Sequence, residues 1–290
     1  MGDVHSAESH RDETIVIVGV GLIGGSIAAA RKKRGFGGRI IGVGRNRARL
    51  ETARNTGLID QVTTHLADAA QQADLMIFCT PVDLIAEGVK AAAPHCRRYT
   101  LLTDAGSVKQ TICQKICGFL PQGVTFIGSH PLAGSEKNGF EYADPDLFDG
   151  RVCVVTPDES TDALSRLTVF WQSLGLCVVE MSASDHDKAL ARTSHVPHVV
   201  AAALASSLSE SNRLLASSGF ADTTRIASGD PDLWVAILLA NADEVVRGIE
   251  AHCQTLDEFR ESIANRDATA LKKLLQLAKT KRDGWEATRR

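Results

Sequence analysis

The chain has 290 residues, is 44% hydrophobic and only 5% aromatic, and carries a formal net charge of −3. That length suits two domains with sizeable cores. No stretch has a dense Lys/Arg face, which argues against a nucleic-acid partner.

Residues 1–13 are polar and lack the apolar core of a signal peptide, so they read as a flexible tail. No later segment has the length and apolarity of a membrane span, and no membrane partner is expected. Seven cysteines are scattered without a C-x-x-C pair. They fit packing thiols in a reducing cytoplasm better than a disulfide framework.

Thr14 to Gly19 is a β-branched apolar run ending in glycine, and a helix through Ala28 to Ala30 follows it and stops near Gly35. Arg39 to Val43 is the next strand, and Leu75 to Cys79 another, closed by Thr80-Pro81. Tyr99 to Thr103 is closed by Asp104-Ala105-Gly106-Ser107, and Val124 to Gly128 leads into a loop carrying His130. Val152 to Thr156 and Leu176 to Val179 complete the strands. Short continuous apolar runs with helical stretches between them predict a buried parallel sheet in a doubly wound α/β domain over residues 14–181. Such sheets bind ligands at the carboxyl ends of their strands. Beyond residue 181 the strand signal disappears. Residues 185–218, 231–264 and 267–282 carry alanine and leucine at helical spacing, and Asp230-Pro231 is a helix start. An all-helical second domain is predicted over residues 182–290.

Gly19-Val20-Gly21-Leu22-Ile23-Gly24 follows a strand and opens a helix, the context a dinucleotide-binding loop of Rossmann type needs. Gly19 permits the tight turn, Gly21 lets the backbone approach a pyrophosphate, and Gly24 lets the helix pack on the sheet. Leu22, Ile23, Arg45 and the Thr80-Pro81 turn are the further cofactor-binding candidates. An NAD-specific fold usually ends its second strand with an acid that accepts from the ribose hydroxyls. Here Gly44-Arg45-Asn46-Arg47 stands in that place, with no carboxylate to repel a 2′-phosphate and guanidiniums to pair with one. The cofactor is NADP or NAD, with NADP favoured; the competing reading stacks Arg45 on adenine.

His130 sits at a strand end before Pro131. Ser194, His195 and His198 surround Pro197 within a helical stretch. Ser194 and His198 share a face at i, i+4, and His195 and His198 are neighbours at i, i+3. Pro197 removes the hydrogen bond to the Thr193 carbonyl and predicts a kink, which suits a pocket. A metal site would need more ligands than this pattern supplies, and none is expected.

These motifs, in this order, resemble the prephenate and arogenate dehydrogenases of tyrosine biosynthesis. The resemblance is carried by Gly19 to Ser26, Thr103 to Lys109, Gly128 to Gly139, Leu147 to Gly150 with Thr156-Pro157, Ser194 to His198, and Thr224 to Trp234. It implies that His130 is the catalytic histidine and that Ser107 hydrogen-bonds near the ring hydroxyl and the nicotinamide. It implies a substrate pocket lined by Ser194 and His198 with His195 close by, and a substrate carboxylate held by Arg225. It also implies a homodimer formed through the helical domain. The chemistry would be oxidative decarboxylation of prephenate, or of arogenate, with a neutral imidazole accepting the hydroxyl proton as hydride departs. Two other readings share the glycine loop: a β-hydroxyacid dehydrogenase or imine reductase, which typically relies on a lysine or other acid on the interdomain helix, and a nucleotide sensor, which has no need of His130, Ser194 and Arg225 together.

Overall fold

The first apolar run forms β1 (Thr14–Val18), buried throughout, and the turn after it opens α1 (Leu22–Lys33). There follow β2 (Arg39–Val43), α2 (Arg47–Asn55), β3 (Gln61–Thr63) and α3 (Leu66–Ala70). Next come β4 (Leu75–Phe78), α4 (Val82–Ala92), β5 (Leu101–Asp104), α5 (Gln110–Ile116) and β6 (Thr125–Pro131). The sheet is completed by β7 (Val152–Thr156), α6 (Asp162–Ser173) and β8 (Cys177–Glu180). These coordinates are a computed structural model that describes residues 13–134, 137–158 and 161–288. The flexible tail expected at 1–13 therefore lies, except for Glu13, outside the described residues.

All eight strands join one sheet in the order β3-β2-β1-β4-β5-β6-β7-β8. The order reverses direction between β1 and β4, which makes a crevice at their carboxyl ends. Two features depart from the sequence reading. The edge strand β3 was not anticipated, because Gln61-Val62-Thr63 is too short and polar to stand out. The sheet is also not wholly parallel: β6 and β7 run antiparallel, with His130 opposite Val154. An apolar run reads the same in either direction, so its orientation is set by the connection and not by its composition.

Helices cover both faces of the sheet. One core layer centres on Ile15, Ile27, Phe148, Leu167 and Trp171, and the other on Val16, Phe78, Ile85, Val89 and Leu102. The alternation of Ile15 and Val16 between the two layers is the period-two geometry of a strand buried on both faces.

The predicted helix over 185–218 is instead several pieces. Ser182 caps α7 (Ala183–Leu190) by accepting from the Asp185 amide. A π-helical turn spans Ala191–His195, and α8 (Val196–Ser206) follows. Pro197 has no amide hydrogen to give to the Thr193 carbonyl, and the helix widens in the turn before it. The helix then stops early because Ser206 and Ser207 turn their hydroxyls back onto the Ala203 and Leu204 carbonyls, at 2.8 and 2.7 Å, competing with the backbone. Beyond it lie α9 (Ser218–Thr224), a tight turn at Arg225–Ser228, and α10 (Pro231–Ala240), capped by Asp230 as expected. The predicted helix over 231–264 breaks at Asn241 into α10 and α11 (Ala242–Ala264). The last helix, α12 (Ala268–Ala287), is capped by Asp267. The chain divides into two compact units at Ala242; the second consists of α11 and α12 with the short turn joining them.

Candidate active site

The glycine loop has the shape a dinucleotide requires. Gly19 has φ +95°, and a Cβ there would lie 2.8 Å from the Cys79 carbonyl oxygen. A Cβ on Gly24 would overlap the Gly19 carbonyl oxygen, so only glycine lets α1 approach this closely. Nothing lies within 4 Å of the corresponding position on Gly21, which leaves the loop open on one side. No side chain caps α1, so its first-turn amides remain available to an anion. Leu22 and Ile23 form that first turn. On the neighbouring strand end the Thr80 hydroxyl is buried without a partner, and Pro81 precedes α4. A buried unpaired hydroxyl costs about 1–3 kcal/mol unless a ligand satisfies it. The cradle therefore fits a pyrophosphate-bearing cofactor.

Arg45 is exposed beyond β2 and has no side-chain partner among the described residues. Its neighbours are committed elsewhere: Asn46 caps α2, Arg47 pairs with Glu51 at 3.6 Å, and Arg49 pairs with Glu141 at 3.0 Å.

The imidazoles gather along the same edge of the sheet. His130 was expected on a loop after its strand; it is instead the penultimate residue of β6, held by pairing with β7. A continuous antiparallel partner extends β6 past the point where its apolar run ends. His130 is buried, and its Nδ1 lies 2.9 Å from His186 Nε2. His186 Nδ1 is in turn 2.7 Å from Asp187 Oδ1. The Asp187 carboxylate also accepts from the Lys109 and Gln110 amides, at 2.8 and 2.9 Å, and so caps α5. Burial is the main cause that holds His130 well below the ordinary imidazole range, reinforced by His186, the Lys109 cation and His195. His130 is thus uncharged near neutral pH.

The π turn buries His195, while Ser194 beside it stays half-exposed. His195 Nδ1 lies 3.1 Å from Asn241 Nδ2, and its Nε2 is buried without a partner. Burial lowers its pKa to about 4, against the opposing pull of Asp187. His198 stacks on Trp234 with ring centres 3.5 Å apart and planes 12° apart, and its Nδ1 is also buried and unpartnered. Gly229 packs against both rings, which brings the Arg225–Ser228 turn close to α8. Arg225 itself is exposed and unpaired among the described residues.

A buried ion pair supports the cluster. The Lys109 ammonium contacts Asp104 Oδ2, both side chains being fully inaccessible. Asp104 further accepts from the Gly106 and Ser129 amides, at 2.9 and 3.1 Å. It thereby ties the turn bearing Ser107 to the strand bearing His130. Ser107 is half-buried at that turn. Among the described residues no group of three or more His, Cys, Asp or Glu could hold a metal ion.

The fold therefore brings His130, His195 and His198 into one region and leaves Arg225 at its exposed margin. Sequence reasoning missed His186, Asp187 and Asn241, and gave Trp234 no role beyond closing a motif. The run Asp185-His186-Asp187 carried a signal, an imidazole flanked by acids at a helix start, but its partner is 56 residues away. Ser135 and Glu136, part of the loop motif after His130, lie outside the described residues.

Comparison with known proteins agrees with this architecture. The family model for the nucleotide-binding domain of prephenate dehydrogenase matches residues 27–180, and that for its dimerization domain matches residues 182–277. The chain is 35% identical over 284 residues to a prephenate dehydrogenase of Bacillus subtilis, covering 94% of this chain and 76% of that one. The crystal structure of prephenate dehydrogenase from A. aeolicus with hydroxyphenyl propionate and NAD+ superposes with a TM-score of 0.89 at 32% identity. It covers 96% of this chain and 99% of that one. A Synechocystis arogenate dehydrogenase gives a TM-score of 0.79 at 32% identity, covering 94% and 99%.

Proposed function

The chain belongs to the prephenate dehydrogenase family, and on that premise we propose that it converts prephenate to 4-hydroxyphenylpyruvate by oxidative decarboxylation in tyrosine biosynthesis. The observation that carries this reading is an uncharged, buried His130 in the same cluster as two histidines with unsatisfied ring nitrogens, along the sheet edge that bears the glycine cradle. A bound nicotinamide dinucleotide supplies the hydride acceptor.

His130 takes the proton of the ring hydroxyl as its carbon is oxidised. Ser107 orients that hydroxyl from the turn fixed by Asp104. His195, His198 and Ser194 line the ring and its carboxylate, and Arg225 holds a carboxylate at the exposed margin. Burial of the cluster excludes water and strengthens these contacts. Loss of carbon dioxide makes the ring aromatic, so the overall step is effectively irreversible. The likeness to the Synechocystis arogenate dehydrogenase supports arogenate as a second substrate.

Two copies pair through the helical segment. Support comes from the family description of residues 182–277 and from Leu233, Val235 and Leu239 of α10, which a single chain leaves 42%, 56% and 72% exposed. No described helix is long and apolar enough to cross a membrane. The seven cysteines are unpaired thiols, which suits a cytoplasmic enzyme.

Initial rates at 340 nm with prephenate and arogenate, each with NAD and NADP, test the reading; absence of turnover on both substrates would refute it. The same assay tests the cofactor. We expect a KM about tenfold lower for NADP, since a charge-assisted hydrogen bond from Arg45 contributes about 1.5 kcal/mol at an exposed site. The atoms nearest to a Cβ at Gly44 belong to Leu50, at 3.6 Å and beyond, which is ordinary van der Waals contact. Gly44→Asp should flatten or reverse the preference by accepting from ribose hydroxyls and repelling phosphate. Equal affinities for both cofactors in the unmodified enzyme would show that Arg45 does not read the phosphate.

Arg225→Ala should raise the KM for prephenate about 10- to 100-fold, the loss of one charge-assisted contact worth about 1.5–3 kcal/mol, with a smaller change in kcat. An unchanged KM would remove Arg225 from the substrate site.

A further inference from the structure

We propose that Asp187 and Asn241 fix the tautomers of two site histidines in opposite senses, presenting His130 as an acceptor and His195 as a donor at their Nε2 atoms. The order of donors is set by the atoms that can only accept. Asp187 Oδ1 receives the Lys109 amide at 2.8 Å, and its other oxygen receives the Gln110 amide at 2.9 Å, so the group acts as a carboxylate. Its contact at 2.7 Å with His186 Nδ1 therefore needs a proton on that nitrogen. A neutral His186 then has a bare Nε2. The 2.9 Å contact from His130 Nδ1 must carry its proton on His130, which leaves His130 Nε2 with a lone pair.

The second chain starts from the backbone of the same residue. The Asp187 carbonyl oxygen can only accept, so the Asn241 atom 2.9 Å from it is the amide nitrogen. That nitrogen also lies 3.1 Å from His195 Nδ1 and donates to it. A neutral imidazole that accepts at Nδ1 carries its proton on Nε2. His195 Nε2–H is buried and has no partner on the chain, so it is an unused donor for an oxygen of the substrate.

The charged and titratable groups around the pair are consistent with two neutral rings. His130 faces His186 on α7, Lys109 at the β5–α5 turn, which is itself paired with Asp104, and His195 on the π turn. His195 faces Asp187, His186 and Asn241, with the Trp234 ring at 6.3 Å. With neither ring charged, direction comes from the tautomer. The acceptor takes the proton of a ring hydroxyl, and the donor meets a substrate oxygen. Asp187 and Asn241 are positioning residues, since they act through the two histidines.

The kinetic part of the test rests on the dehydrogenase reading, whereas the spectroscopic part does not. Long-range proton–nitrogen spectra of the full chain, labelled with 15N-histidine, should show His130 protonated only at Nδ1 and His195 only at Nε2 near pH 7.5. Protonation of His130 at Nε2, or of His195 at Nδ1, overturns the proposal. Asn241→Leu should leave His195 as a tautomer mixture, keep the His130 pattern, and raise the KM for prephenate about tenfold with kcat within about threefold. Asp187→Asn should lower kcat at least about 100-fold with KM within about threefold, because an amide can donate to His186 and reverse the order of donors up to His130. Normal kcat and KM in both variants overturn it as well. Asp187 also caps α5, so if its variant fails to fold, the Asn241→Leu spectrum decides. Opposed tautomers in an enzyme that does not turn over prephenate would sustain this inference while refuting the substrate assignment.

Discussion

His130→Asn is expected to lower kcat for prephenate about 100-fold or more while leaving cofactor affinity unchanged. General-base catalysis typically contributes 10²- to 10⁴-fold, and asparagine cannot take a proton. The effect should fall on kcat because His130 belongs to the sheet and not to the glycine cradle: β6 pairs with β7 on one side and β5 on the other, and an asparagine there disturbs neither ladder. Lowered basicity adds a second signature. With burial, His186, Lys109 and His195 all opposing protonation, the acid limb of kcat/KM in the parent enzyme should lie below the ordinary histidine range. Stopped-flow absorbance at 340 nm measures the chemical step directly. A variant with near-normal kcat would show that the hydroxyl proton goes elsewhere.

Lys109→Met should cost about 3–5 kcal/mol of stability, because it leaves the Asp104 carboxylate buried without its cation. For a unit of this size that corresponds to a fall in Tm of roughly 10 °C. Burial already raises the Asp104 pKa, with Lys109 and the Gly106 and Ser129 amides opposing it. Removing the cation tips the group further toward its protonated form. The damage should reach the site too, since Asp104 anchors both the Ser129 amide next to His130 and the Gly106 amide next to Ser107. Pairing the substitution with Asp104→Asn should recover part of the lost stability, because no isolated charge then remains. Calorimetry of the two single variants and the double decides the matter. A Lys109→Met protein that melts within 2 °C of its parent, by the same stability arithmetic, would mean the pair holds nothing together.

Much of this was readable from the chain. The spans of β2 and β7 coincide with their apolar runs, and the glycine loop lies where a strand and a helix meet. Those features are local: period, turn residues and caps act within a few positions. What escaped was long-range. The partnership of His130 with His186 joins residues 56 apart, and that of Asn241 with His195 joins residues 46 apart. Lys109 belonged to a quoted motif, yet nothing in its neighbours said that a lysine would be wholly inaccessible. The break at Asn241 was hidden because a single asparagine is tolerated inside a helix and the helical spacing continues on both sides of it. Its side chain donates to the Asp187 carbonyl, a partner that only the folded chain supplies.

The π turn at Ala191–His195 has a bearing on how this chain can change in length. One residue of an α-helix corresponds to about 100° of rotation. Deleting a single residue between Ser182 and Pro197 would let the widened turn relax into regular helix. Because that turn already holds one residue more than a regular helix, the loss is absorbed there, and α7 and α8 keep their faces toward the site. An inserted residue finds no such slack and would turn α8 by about 100° relative to α7. The exposed turn at Glu210–Leu215 carries no such phase constraint. Added residues should therefore be absorbed after Ser206 and rejected before Pro197, whereas the π turn can give up one residue and keep the phase of its flanking helices.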